Sequence, residues 1–411
     1  MDLGVWLHAS RVARVREKSG RLRLEYTNEA FDGYELGSPV LSVSLPLVAT
    51  SYPNGVTRAF LEGLLPEGAA RNEIAAELGL VASNTYGLIS ALGRDCAGAL
   101  VIQPEDEEKP PLSTTLTAER LPDDRVTDLI MNLRTAPLGV DERVRISLAG
   151  VQEKLLLTRM PDGSWGRPVD GTPSTHIIKP TIARFPYTVE NEAFCMRVAQ
   201  NLGLDVANVE VIKGDPVNAL IVERYDRLVT ADGAVERIHQ EDFCQAMAIL
   251  PKHKYQQDGG PSLTQIAGIL ESAASPESVE KLLQAVAFNV LIGNGDAHGK
   301  NFSLIHEREG SMKLAPLYDL LCTYFYGDDR LAMYVDDVRR IDRVSGTRLV
   351  NEAVSWGLSR RRAEAIVIDL LARTPDAIDA ARSSTENLPD EIAEFLERQL
   401  QELATGLNQA A

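Results

Sequence analysis

The chain has 411 residues, 44% apolar and 25% charged, a soluble globular composition too long for one ordinary hydrophobic core. Its formal net charge of −17, from 42 basic and 59 acidic residues, disfavours non-specific attraction to nucleic acid or to an anionic membrane. Cys96, Cys195, Cys244 and Cys322 show no CxxC spacing, the N-terminus lacks a signal-peptide pattern, and no apolar run approaches a membrane span. The expectation is a cytoplasmic protein with reduced thiols and neither a disulfide nor a zinc framework.

Residues 1–48 hold short alternating runs such as "LRLEYTNEAFDGYEL", which predict strands. "VTRAFLEGLLPEGAARNEIAAELG" has helical spacing broken at Pro66, and "GALVIQ" is a further strand. "PEDEEKPPLSTT" is charged and proline-rich, as expected of a linker or exposed loop. "RVRISLAGVQEKLLLTRMPDGSWGRP" reads strand, loop, strand, then turn. "THIIKP" is a short strand, "VENEAFCMRVAQNLGL" an amphipathic helix, and "ANVEVIKG" and "VNALIVERYD" are two more strands. Beyond about residue 239 the helical period dominates, as in "SVEKLLQAVAFNVLIG" and "LPDEIAEFLERQLQELATGL". The expected division is an N-terminal subdomain over 1–104, a linker over 105–116, an N lobe over 117–225 and an all-helical C lobe over 226–411. A crevice between lobes is a preferred ligand site.

The chemistry concentrates in "IGNGDAHGKNFSL" (292–304), a polar cluster between apolar runs. Burying such groups is costly unless they are paired or coordinated. Asp296 and Asn301 are five residues apart, the spacing of the protein-kinase catalytic loop, and Asp319 follows eighteen residues later in "APLYDLL". Phosphoryl transfer needs a divalent cation held by hard oxygens and a carboxylate that orients a hydroxyl. Upstream, Lys179 in "HIIKP" and Glu192 at the start of the next helix match the kinase lysine–glutamate pair that grips ATP phosphates. Gly150 in "SLAGVQEK" lies in a loop between strands, where backbone amides could approach phosphates, although no Walker motif is present. Taken singly each residue has an ordinary structural explanation, such as a surface lysine, a solvated helix face, a turn or a cap. The order along the chain is the specific signal. "GDAHG" also matches the opening of the calcineurin-like phosphoesterase motif, but it follows a helix and no GNH element lies downstream.

Ten blocks carry a resemblance to a known family: "SVSLPL", "LLPEG", "GRDCAGALVIQPED", "SLAGVQEKLLL", "IIKP", "NEAFCMRVAQNLGL", "LIVERYDR", "KYQQDGGP", "IGNGDAHGKNFSL" and "LAPLYDLL". Over nearly its whole length the chain resembles the HipA family of bacterial toxin kinases. The resemblance implies an α+β, two-lobed protein-kinase-like (phosphatidylinositol-kinase-like) fold with a small β-rich N-terminal subdomain. It implies an ATP- and Mg2+-dependent serine/threonine kinase with Asp296 as catalytic base and Asn301 and Asp319 holding magnesium. Ala149, Gly150, Val151, Gln152, Glu153 and Lys154 would form the phosphate-binding loop, with Lys179 on the phosphates. Glu223, Arg224 and Tyr225 would form the hinge that takes the adenine, mostly through backbone groups, Tyr225 standing where the family usually has Phe. His298 and Tyr318 would line the nucleotide pocket, and Ser147 matches the serine that family members autophosphorylate. The implied partners are a HipB-like helix-turn-helix antitoxin, operator DNA reached through that complex, and a protein substrate, for which the family offers glutamyl-tRNA synthetase. The stretch where family members touch DNA, "LVNEAVSWGLS", is not basic here, so direct DNA contact is not expected unless the nearby "SRRRAEA" substitutes. Two other readings of the same residues are a catalytically weak co-repressor and a small-molecule or lipid kinase on this fold.

Overall fold

The computed structural model describes residues 2–111, 113–115, 118–133, 148, 154–169, 171–214, 218–231, 233–308 and 310–408. Ser147 and the expected phosphate-loop residues 149–153 lie outside the described residues. The chain packs as two compact units, one of residues 1–180 and 213–252, the other of 181–212 and 253–411.

In the first unit, Leu3–Leu7 is the pivot of an antiparallel sheet. It pairs with Ser10–Lys18 on one side and with Leu100–Pro104 on the other, and Arg21–Tyr26 forms the outer strand. Helices Asn54–Leu64, Gly68–Glu77 and Thr85–Leu92 accompany this sheet, and the break expected at Pro66 separates the first two. The inward residues Val5, Val15, Leu24, Phe60, Leu61 and Ile102 are fully buried. Each such side chain contributes roughly 1.5–3 kcal/mol relative to exposure. A second antiparallel array runs in the order Glu119–Leu121, Trp165–Arg167, Leu155–Arg159, His176–Pro180 and Ala219–Glu223. The expected linker is not merely a loop. Glu105 and Glu107 pair with Arg14 and Arg94, and Ser113–Thr115 adds an edge strand to Ala234–Arg237. Pairing with a strand about 120 residues away is invisible to a local reading of a proline-rich stretch.

The N-terminal sheet region and the later part of this unit are joined by buried charge. Asp95, Arg224, Asp226, Arg227 and Arg237 are all buried. Arg224 makes a two-pronged bond to Asp226 at 2.9 and 2.8 Å and donates to the Ser174 hydroxyl and the Cys96 carbonyl. Arg227 donates to Asp95 at 2.8 Å and to the carbonyls of Cys96 and Gly98. Asp95 also accepts from the backbone and hydroxyl of Ser174, and Asp226 from the Gly98 amide. Burial alone would push the Asp95 carboxyl up, but Arg227, Arg224 and Arg237 together hold it below its ordinary value.

The second unit is mainly helical. Helix Pro276–Leu291 buries most of its surface, with Leu282, Leu283, Ala287, Phe288 and Leu291 fully buried, while Glu277 is exposed and Glu280 and Lys281 are half-buried. Helices Leu263–Ala273, Gly346–Ser355, Arg360–Ser384 and Asp390–Asn408 pack against it. The C-terminal half is not all-helical as expected. It carries the hairpins Ser303–His306 with Met312–Leu314 and Arg330–Val335 with Val338–Arg340. Their strands are only three to six residues long, too short for a period of two to stand out among helical repeats. Among the described residues no helix is long and apolar enough to cross a membrane. The four cysteines are buried, as expected of small thiols, and none is in a disulfide.

Removing one partner of a buried charge network leaves the others desolvated and unpaired. Asp95→Asn should therefore lower unfolding free energy by about 3–5 kcal/mol, measured by chemical denaturation. Because the native Asp95 carboxyl lies below its ordinary value, its contribution is present at neutral pH and is lost as pH falls through the native value. The difference between wild type and variant should shrink in acid.

Candidate active site

The central helix Pro276–Leu291 delivers the chain directly into the polar loop. A buried irregular loop must find partners for its backbone groups, and here side-chain amides and a hydroxyl supply them. Asn294 accepts from the Asp296 amide at 3.1 Å and donates to Asn289 at 2.8 Å and to the Asp319 carbonyl at 3.3 Å. Thr323 accepts from the Gly295 amide at 2.7 Å and donates to the Gly293 carbonyl at 3.2 Å. Asn191, on helix Thr188–Asn201, bonds both the N–H and the C=O of Cys322 at 2.8 and 3.0 Å. Position 295 needs glycine, because a Cβ there would sit 2.5 Å from the Arg330 carbonyl and 2.6 Å from Asp328 Oδ2.

This frame brings together five residues expected from the sequence. Asn301 Nδ2 donates to Asp319 Oδ2 at 2.9 Å, closing the eighteen-residue gap between them. Asp319 has φ +59°, a left-handed backbone that costs a non-glycine residue energy and persists only where neighbours over-determine it. The carbonyl bond from Asn294 and the carboxylate bond from Asn301 are such constraints. Asp296 is half-buried, and its Oδ1 accepts from the Tyr255 hydroxyl at 2.5 Å. Burial pushes its carboxyl up to about 6; the bond from Tyr255 opposes this, and nearby Asp319 adds to it. His298 is buried, with no partner for Nδ1 among the described residues, and burial together with Lys254 lowers it to about 3, so it stays neutral. The Tyr318 hydroxyl reaches the Lys300 carbonyl and the Ser303 hydroxyl, each at 2.7 Å, bracing the loop's far end.

Asp319 and Asn301 together offer carboxylate and amide oxygens, the hard donors that a small divalent cation takes. Among the described residues no group of three or more His, Cys, Asp and Glu could hold a metal by itself.

Lys154, Lys179, Glu223, Arg224 and Tyr225 belong to the first unit. Lys179 is half-buried in its strand, opposite Leu220. Glu223 is exposed at a strand end. Arg224 turns its side chain into the buried charge network, its N–H donates to the Thr175 carbonyl at 2.9 Å, and its carbonyl accepts from Arg227 at 3.2 Å. The Tyr225 hydroxyl donates to Gln240 at 2.7 Å. Lys154 is half-buried immediately before strand Leu155–Arg159. In the second unit Glu192 is buried in helix Thr188–Asn201. The arginine run is also engaged within that unit, since Arg362 grips Glu280 at 2.7 and 2.6 Å and Arg360 donates to Asn351 at 2.8 Å.

Sequence reasoning assigned no role to Tyr255, Asn294 or Asn191. Two of them stood inside blocks singled out for other residues, and Tyr255 stood in "KYQQDGGP", whose two glycines were the available signal for a shaped segment.

The native Asp296 value of about 6 lies above the ordinary 3.8, so the folded state disfavours the ionised form. This cost appears as pH rises from 3.8 to about 6 and is fully present at neutral pH. Asp296→Asn should therefore raise the melting temperature at neutral pH, with the gain vanishing in acid, as read by calorimetry across pH.

Two family models match this chain: the HipA N-terminal domain over residues 3–103 and the HipA-like C-terminal domain over residues 146–378. The Sinorhizobium fredii protein Y4mE is 40% identical over 404 residues, covering 94% of this chain and 93% of that protein. The serine/threonine-protein kinase toxin HipA of Shewanella oneidensis is 31% identical over 405 residues, covering 92% and 90%. A solved structure from Shewanella oneidensis, of the toxin–antitoxin HipA and HipB with operator DNA, superposes with a TM-score of 0.83 at 28% identity, covering 99% of this chain and 97% of that one. The α+β kinase-like fold is thus shared, and by the C-terminal model and by relatives that span almost its full length, the chain belongs to the HipA family.

Proposed function

We propose that this protein is a serine/threonine protein kinase that moves the ATP γ-phosphoryl group to a protein hydroxyl and is restrained by a HipB-like antitoxin. The observation that carries this reading is the bonded pair Asn301–Asp319 beside a half-buried carboxylate, Asp296, all on one braced loop frame. Asp296 accepts the proton of the attacking hydroxyl. The new bond joins that oxygen to the γ-phosphorus, the bond to the bridging oxygen breaks, and ADP leaves. When bound, Mg2+ neutralises charge on the phosphate oxygens. Asn301 and Asp319 are the residues to hold it, and Lys179 and the 149–154 loop are those to meet the phosphates. The adenine falls to Glu223 and Tyr225, because both backbone groups of Arg224 are already bonded within the protein. Neutral His298 and Tyr318 sit beside the nucleotide.

The antitoxin partner is supported by the Shewanella oneidensis complex, whose HipA chain this protein matches along nearly its whole length. Operator DNA would be met through the antitoxin, since Arg360 and Arg362 are engaged within the chain. Glutamyl-tRNA synthetase is the substrate to try first. The cytoplasm is the compartment that suits four unbridged thiols.

The deciding experiment is labelled ATP with Mg2+ and cell lysate, wild type against Asp296→Asn. Loss of the base should cut transfer by about 10²- to 10⁴-fold while ATP binding by calorimetry is kept. Equal transfer by both proteins would remove Asp296 from the reaction. Asp319→Ala should instead weaken ATP binding in Mg2+ to the level found with a chelator.

Ser147 completes the proposal as a self-inactivating switch. A phosphate there adds roughly 1.5–2 negative charges three residues before Gly150. It would compete for the amides meant for ATP. Peptide mass spectrometry should find phosphate on Ser147 in the purified wild type and none in Asp296→Asn.

A further inference from the structure

Within the second unit, the residues expected to line the site come from the 292–304 loop and from Tyr318 and Asp319. A third segment also faces the base. "KYQQDGGP" runs from Lys254 to Pro261. The Tyr255 hydroxyl lies 2.5 Å from Asp296 Oδ1, and its ring stands edge-on to His298 with centroids 5.2 Å apart at 83°. The Lys254 carbonyl accepts from the Gly299 amide at 3.3 Å, and the Lys254 ammonium lies 5.7 Å from the centre of the Tyr255 ring.

The segment is itself fixed. The Tyr255 carbonyl accepts from the amides of Asp258 and Gly260, each at 2.9 Å, and Gln256 accepts from the Tyr334 amide at 2.7 Å. Gly260 packs on the backbone that carries Tyr255. A Cβ there would overlap the His253 carbonyl and lie 2.7 Å from Lys254 C and from the Tyr255 oxygen. The glycine thus sets how closely the turn closes beneath the tyrosine.

We propose that Tyr255 is a positioning residue for the base: its hydroxyl holds one carboxylate oxygen of Asp296, so that the other is presented to the substrate hydroxyl. This deepens the kinase reading and rests on it. A phenol that donates to a carboxylate favours the ionised form, the one able to take a proton. Against it stand the burial of Asp296 and the charges of Asp319 and Asp328; with it stands Lys254, from the same segment as the tyrosine. On the loop itself, His298 is neutral and Lys300 is buried. Without the hydroxyl the carboxylate keeps its unfavourable surroundings and loses its fixed orientation.

The test is Tyr255→Phe in the full chain, which keeps the ring against His298 and removes one oxygen. Phosphate transfer from ATP to dephosphorylated casein is followed across pH, with ATP affinity by calorimetry and melting temperature alongside. At neutral pH the rate should fall about tenfold and the acid limb should move up by about one pH unit, while ATP affinity and melting temperature hold. Gly260→Ala, which shifts the tyrosine without deleting it, should move the limb in the same direction. An unshifted limb in Tyr255→Phe overturns the proposal, whether the rate stays at the wild-type level or falls together with melting temperature. A wild-type protein that neither binds ATP nor transfers phosphate overturns the kinase reading itself, a result distinct from an active wild type with an unmoved variant.

Discussion

Five charged side chains buried in the first unit hold its two sequence halves together. Three arginines meet two aspartates, so the group carries one uncompensated positive charge. Burying such a set costs several kcal/mol per ion unless every group is paired or hydrogen-bonded. The structure meets this with geometry: a two-pronged Arg224–Asp226 pair, Arg227 on Asp95, and the carbonyls of Cys96, Gly98 and Gly171 as further acceptors. Burial still lowers Arg237, to about 10, which marks it as the least compensated member. Asp95 comes from the N-terminal family segment, whereas the arginines lie at 224, 227 and 237, so neither stretch can be packed without the other. Further ties follow the same route, with Glu241 accepting from the Val43 amide and the Ser42 hydroxyl, and Gln245 donating to the Phe60 carbonyl.

The second unit solves a different problem by a different means. Its polar loop is irregular, yet it follows a largely buried helix and lies among buried residues. Its backbone groups still need partners. Neutral amides from Asn191, Asn289 and Asn294 bond the backbone and one another, with the Thr323 hydroxyl beside them. The Tyr255 phenol donates to Asp296 and the Asn301 amide to Asp319. The raised value at Asp296 and the strained backbone at Asp319 are the signs of a site shaped for chemistry at some cost to stability.

The two devices divide the labour of the fold. The charge network is buried and mostly paired, with only Arg227 Nε and Arg237 Nε lacking hydrogen-bond partners among its described atoms, and it holds the segment at 223–225 that is proposed to meet the base of the nucleotide. The amide frame satisfies the loop backbone, and neutral donors, Tyr255 and Asn301, reach the carboxylates of Asp296 and Asp319. His298 fits this scheme because a neutral ring adds no charge to compete for either aspartate.

By itself the sequence determined which residues could do chemistry and in what order. The spacing of Asp296, Asn301 and Asp319, the strand that holds Lys179 and the apolar helix before Gly293 were all legible, because each depends on neighbours a few residues away. The hydrophobic period also placed two long helices of the C-terminal half, Pro276–Leu291 and Asp390–Asn408. Tertiary structure alone decided what closes on what. That Asn301 bonds Asp319, that Tyr255 reaches Asp296 across 41 residues, and that the Arg224 side chain turns to Asp95 and Asp226 are matters of approach in space. The edge strand at Ser113–Thr115 and the short hairpins of the second unit were hidden for the same reason. Strand pairing and buried polar bonds are made between distant parts of the chain, and a local pattern carries no record of the partner.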